Sequence, residues 1–302
     1  MIRQMQERII QLKKEKDVLI AAHSYQAKEI LEVADLTGDS FQLSRAACTA
    51  PQSTVLLCGV HFMAQSVKML CPQKRVILAN GGAGCAMADC ITPADVQALR
   101  AQYPDYTVVC YINTTAEVKA LCDVCVTSSS AEKIVSAIEN DKILFIPDHN
   151  LGRHVAKACP QKQFAFFKGC CPVHNTVTAA EVAAAQKAHP NALLLVHPEC
   201  APEVCAAADY IGSTAGIMDY AAKSATLEFI IGTELSIAEH LSYAMPHKRF
   251  YPLSKNLLCP DMKLTTLPDL LDALQGGGTE ITLESAVQAK AVHCINEMLR
   301  LG

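Results

Sequence analysis

No apolar stretch in the 302 residues approaches the roughly 18 needed for a membrane-spanning helix; residues 55–58 and 192–196 are only strand-sized runs. Nor is there an excess or clustering of basic residues. With 26 Lys and Arg against 30 Asp and Glu the formal charge is -4, which excludes the basic footprint of a nucleic-acid or anionic-membrane binder. Residues 1–16 mix Ile and Leu with Arg, Glu and Lys, so they lack the apolar middle of a secretory leader. The expected compartment is the cytoplasm. What the chain does have is an apolar fraction of 51%, too high for disorder, and a length that as a prior suggests about two domains.

Fifteen cysteines are the conspicuous surplus. In a reducing compartment structural disulfides are not expected, and a free Cys behaves as a small buried apolar residue unless a metal or a reaction uses it. Any ligands must therefore be identified by position.

Position is supplied by an internal repeat. Short aliphatic runs at 18–22, 54–58, 76–79, 107–112, 143–146, 192–196 and 227–231 alternate with helical stretches, the pattern of parallel sheets covered by crossover helices. Three of these runs end at His23, Tyr111 and His197, spaced 88 and 86 residues apart. In that frame Tyr25, Asn113 and Glu199 stand at +2, Glu29, Glu117 and Glu203 at +6, and Asp35, Asp123 and Asp209 at +12. Ser40, Ser128 and Thr214 stand at +17, and Pro72, Pro160 and Pro246 at +49. Three identical columns and a hydroxyl column without a gap predict three copies of one α/β unit. The expected architecture is three Rossmann-like αβα units with parallel sheets, related by a pseudo-threefold axis around a central site. Their bounds are 17–104, 105–190 and 191–265, with an N-terminal helix at 1–16 and a helical segment at 266–302.

The columns also predict chemistry. Strand side chains alternate faces, so +0 and +2 project together from a strand end, and the +17 hydroxyl falls in a turn where backbone N–H groups can hold an anion. Ligands of open α/β sheets bind beyond such strand ends. The +6 Glu suits the N-terminal end of a helix, and the +6 and +12 acids read as structural. Late in each third comes a turn Cys, at +62, +60 and +62: Cys85, Cys171 and Cys259. A rival column before each Pro runs Cys71, Cys159, Met245; the Met breaks the thiol set, and the column reads as core. Cys122 and Cys125 have redox-motif spacing but lie in a helix-to-strand passage and read as core as well. Cys171 and His174 have zinc-like spacing without a second pair. Three converging thiolates suit a cubane iron–sulfur cluster with one iron left open, a Lewis acid rather than an electron carrier.

These residues, with the segments 23–26, 38–40, 59–64, 83–88, 111–120, 147–152, 171–174, 197–200, 212–214 and 259–263, resemble the quinolinate synthase family over nearly the whole chain. The departures are Ser24, Gln65 and the extra thiol Cys170 beside Cys171; the spacing to His174 favours Cys171 as ligand. The resemblance implies an oxygen-sensitive enzyme of NAD biosynthesis. It condenses iminoaspartate with dihydroxyacetone phosphate to quinolinate, releasing phosphate and two waters, on a [4Fe-4S] cluster held by Cys85, Cys171 and Cys259. It also implies an L-aspartate oxidase as a transient partner supplying the imine.

The candidate roles follow from side-chain chemistry. His23, Ser40, Asn113, Ser128, Ser213 and Thr214 can hold small anions without a Lys or Arg patch. Glu199 and His197 are the expected general base and acid, Tyr25 a shuttle, and Tyr111 a further proton-transfer group; Tyr111, His174, His197 and Glu199 also count as substrate contacts. Two other functions fit parts of the pattern. A non-catalytic iron–sulfur sensor or carrier would use the same thiolates, and a zinc hydrolase would use Cys171, His174 and a nearby carboxylate.

Overall fold

A computed structural model describes residues 1–302 and divides thirteen strands among three sheets. The first contains β1 (Val18–His23), β2 (Leu36–Gly38), β3 (Thr54–Cys58) and β4 (Arg75–Leu78). The second contains β5 (Thr107–Tyr111), β6 (Val124–Val126), β7 (Lys142–Ile146) and β8 (Gln163–Phe166). The third contains β9 (Leu193–Val196), β10 (Tyr210–Ile211), β11 (Glu228–Gly232) and β12 (Arg249–Pro252). All pairings among these twelve are parallel; the second strand in sequence lies at one edge of each sheet, and the fourth at the opposite edge of the second and third sheets. Helices flank the sheets, as the near-continuous apolar central strands require. Val55, Leu56, Leu57 and Cys58 of β3 are all buried, as are Ile143 to Ile146 of β7.

The repeated residues repeat their work. Asp35 Oδ2 accepts the backbone N–H of Ile20 at 2.9 Å, Asp123 Oδ2 that of Val108 at 2.7 Å, and Asp209 Oδ2 that of Leu194 at 2.7 Å. Each Asp therefore pairs an N–H within the first strand of its unit. Glu29, Glu117 and Glu203 all lie in the first turn of a short helix, where the positive end of the helix dipole favours a carboxylate. Cys71, Cys159 and Met245 cap three helices ahead of the +49 prolines, with nearly the same backbone angles.

Two features differ from expectation. Thr279–Glu280 forms β13, antiparallel to β4, so the C-terminal segment is not purely helical. Its helix Leu267–Gln275 buries Leu270 and Leu274 with Ile9 and Leu12 of helix Ile2–Glu15 against the first sheet, while helix Ser285–Leu301 covers the second. Cys48 and Cys71 form a disulfide, contrary to the expectation of none. Helices Ser40–Thr49 and His61–Leu70 pack side by side, and their C-terminal ends bring the two Cα atoms within 5.5 Å. No helix is long and apolar enough to cross a membrane.

Candidate functional site

The carboxyl ends of β1, β5 and β9 open onto one cavity. The predicted residues His23, Tyr25, Ser40, Cys85, Tyr111, Asn113, Ser128, Cys171, His174, His197, Glu199, Thr214 and Cys259 line it. Ser213 does not: its Oγ accepts the Gly216 N–H at 3.1 Å and caps helix Thr214–Lys223. No Lys or Arg lines the cavity.

Local geometry recurs at the first and third strand ends. The Tyr25 N–H donates to His23 Nδ1 at 3.1 Å, and the Glu199 N–H approaches His197 Nδ1 at 3.3 Å, so each imidazole orients the residue two positions on. Burial drives both rings toward the neutral form. His197 is lowered to about 4, and His23, beside Lys263 as well, to about 3. Burial alone would raise Glu199, but His197, His174 and a facing Tyr111 hold it below the usual carboxylate range. The site thus places the buried Glu199 anion close to the neutral His197 ring and the Tyr111 phenol.

A hydrogen-bonded chain crosses the cavity. Thr214 Oγ1 lies 2.7 Å from the Tyr25 hydroxyl, which lies 2.8 Å from Thr233 Oγ1. Thr233 Oγ1 lies 3.0 Å from His174 Nε2, and His174 Nδ1 lies 2.8 Å from Glu199 Oε2. Tyr111 faces both Glu199 and Ser128. Burial raises the phenols of Tyr25 and Tyr111 well above their ordinary value, with the Glu199 charge adding to it, so both remain proton donors.

Thr233 and Glu234 escaped the sequence reading. Glu234 is fully buried at the end of β11, accepts the Ser236 N–H at 2.9 Å and lies 3.0 Å from Lys263 Nζ, which also donates to the Tyr25 carbonyl. A signal existed at +37, where Asp148 and Glu234 are equivalent acids, but Val60 occupies the first unit. Asp148 accepts the N–H groups of Leu151 at 2.7 Å and Cys171 at 2.9 Å, fixing the turn that presents Cys171.

Cys85, Cys171 and Cys259 reach the cavity from three separate turns, whereas Cys170 does not line it. Burial pushes the Cys85 thiol up to about 12 and raises those of Cys171 and Cys259. Three inward thiols in a lining without Lys or Arg form a donor set that a thiophilic metal group would deprotonate, so the residues fit such a group. Cys171, His174 and Glu199 also bring one ligand atom each within 4.8 Å of the others, the constellation a zinc hydrolase would need.

Comparison with known proteins supplies the family. The family model NadA, quinolinate synthetase A protein, matches residues 7–300. The chain belongs to the quinolinate synthase family. It is 46% identical to the quinolinate synthase of Caldicellulosiruptor bescii over 298 residues, covering 99% of this chain and 98% of that one. It is also 46% identical to that of Clostridioides difficile, with 97% of each chain covered, and 44% identical to that of Methanoregula boonei, with 98% of each covered. Quinolinate synthases are enzymes of NAD biosynthesis, and in this member the family match spans all three sheets and the cavity among them.

Proposed function

We propose that this enzyme condenses iminoaspartate with dihydroxyacetone phosphate to quinolinate, releasing phosphate and two waters. The observation that carries the reading is the composition of one cavity lining: three thiols from three turns together with hydroxyls, an amide, imidazoles, phenols and the carboxylates of Asp39, Glu199 and Glu234. Cys85, Cys171 and Cys259 would hold a [4Fe-4S] cluster. When bound, the cluster supplies a Lewis-acidic iron, because three thiolates leave one of its irons without a protein ligand.

The chain's own residues supply binding and proton transfer. Ser40, Ser128, Thr214, Asn113 and neutral His23 hold the small anionic substrates through hydrogen bonds. Glu199, an anion at 2.8 Å from His174 Nδ1, is the general base, and His197 the acid that returns a proton. Tyr25, held between Thr214 and Thr233, shuttles or positions, and Tyr111 keeps Glu199 in place. Burial of Glu199 and His197 keeps bulk water from competing for these protons. The three units, 17–104, 105–190 and 191–265, are read as related by a pseudo-threefold axis through this cavity, with 1–16 and 266–302 as flanking segments. The enzyme is assigned to the cytoplasm, where an L-aspartate oxidase supplies the unstable imine.

Metal analysis after anaerobic purification tests the cluster. About four iron and four sulfide per chain, lost in air together with activity, is the expected result. Zinc bound at Cys171 and His174 with air-stable activity would overturn it in favour of the hydrolase. A sensor or carrier would show a cluster but no turnover.

A further inference from the structure

A second cavity, which shares no lining residue with the first, lies between helix His149–Ala158 and the segment carrying helix Pro202–Ala206. The first of these helices contributes Asn150, Arg153, His154 and Lys157. Their spacing of i, i+3, i+4 and i+7 places all four on one helix face. Asn150 is buried, 3% exposed, whereas Arg153 and Lys157 are exposed, so the face runs from a deep amide to a cationic mouth. Cys200 and Cys205 form part of the opposite wall.

Polar groups at both ends of this face lack partners. Asn150 Nδ2 donates to Asn175 Oδ1 at 2.8 Å and to the Glu199 carbonyl at 3.0 Å, but the buried Asn150 Oδ1 has no hydrogen-bond partner. An acceptor left unpaired away from water is costly, and a ligand that donates to it removes the cost. At the mouth, Glu132 is engaged by His154 Nε2 at 2.9 Å, while Arg153 and Lys157 form no ion pair and donate no side-chain hydrogen bond. The equivalent seam between helices of the first and second sheets is closed instead. There Gln65, at +42 as Arg153 is, accepts the Ala116 N–H at 3.0 Å. Ala116 stands at +5, where the third repeat has Pro202, and proline has no N–H to offer.

We propose that this second cavity binds a small phosphate monoester that carries a hydroxyl. Residues four apart on a helix have Cβ atoms about 5–6 Å apart, so Arg153 and Lys157 can converge on one dianionic group rather than on two separated carboxylates. A guanidinium fork beside an ammonium suits the oxygens of a phosphate. At 1.5 Å per residue Asn150 lies about 4.5–6 Å along the axis from Arg153 and His154, a span that a three-carbon ester covers with its hydroxyl donating to Asn150 Oδ1. Binding there is independent of the reaction assigned to the first cavity. It bears on that cavity through Asn150, whose amide holds the carbonyl of Glu199.

The test is anaerobic calorimetric titration of the iron-loaded enzyme with glycerol 3-phosphate. Dihydroxyacetone phosphate belongs to the same ligand class, so variants of each cavity are needed to separate the two sites. Saturable binding should persist in Ser128→Ala/Thr214→Ala and weaken at least about 10-fold in Arg153→Ala/Lys157→Ala, which removes hydrogen bonds to charged groups. Both replaced cations are exposed and unpaired, so that variant should keep the wild-type thermal midpoint without ligand. On the wild-type chain, glycerol 3-phosphate should raise the midpoint, and n-propyl phosphate, which lacks the hydroxyls, should bind about 5-fold more weakly. No saturable binding overturns the proposal, as does binding that is lost in Ser128→Ala/Thr214→Ala but kept in Arg153→Ala/Lys157→Ala. Equal affinity for the two esters overturns the part given to Asn150.

Discussion

Glu199 shows how far one side chain's behaviour depends on its neighbours: desolvation opposes its charge, while His174, His197 and Tyr111 sustain it. Replacing it by Gln keeps the shape and removes the proposed base, so kcat should fall by about 10²–10⁴-fold with iron content unchanged, measured on anaerobically prepared enzyme. His197 carries a pH signature. Its folded value of about 4 lies below the unfolded 6.5, so the unfolded chain binds more protons between them. Its contribution to stability is therefore full above pH 6.5 and declines toward pH 4. Asp148, raised to about 7 mainly by burial, acts in the opposite sense over part of that window, so the comparison must be with a variant. Denaturant midpoints from pH 7 to 4 should show wild type losing roughly 3 kcal/mol more than His197→Gln; parallel profiles would contradict this. At this scale the repeated polar columns were legible, because strand ends impose a fixed +0, +2 and +17 spacing. Thr233 was not: it matters through contacts with Tyr25 and His174 that lie 208 and 59 residues away in sequence.

Among elements, the central strands were legible as apolar runs because both faces are covered by helices. β8, β10 and β12 were not, since they are edge strands of four residues or fewer with mixed burial, and β6, although buried, is only three residues long. The +12 Asp residues explain why the short strands hold their place. Asp209→Ala would leave the N–H of fully buried Leu194 without its side-chain acceptor, and a loss of about 1–3 kcal/mol is expected in chemical denaturation. The disulfide was illegible, because compartment arguments concern the average cysteine, whereas Cys48 and Cys71 are paired by the packing of two particular helices. They are 23 residues apart, so Cys48→Ser should lower stability by about 3 kcal/mol under non-reducing conditions and by nothing in excess reductant.

At the scale of the whole molecule, three sheets that share one parallel four-strand arrangement, the first extended by antiparallel β13, deliver side chains into one cavity, and the terminal segments cover the first and second sheets without entering its lining. The repeat was readable because a strand, a helix entry and a hydroxyl-bearing turn recur at nearly equal spacing. The closing of the C-terminal segment onto β4 through β13 was not, since two exposed residues carry no periodicity. The central claim is that this one cavity joins two small anions into quinolinate. Anaerobic incubation of the iron-loaded enzyme with iminoaspartate and dihydroxyacetone phosphate, following quinolinate and phosphate together, tests it most directly. Equal amounts of the two products, abolished in Cys171→Ser and Glu199→Gln, are predicted; phosphate release without quinolinate, or no turnover by fully iron-loaded wild type, would contradict it.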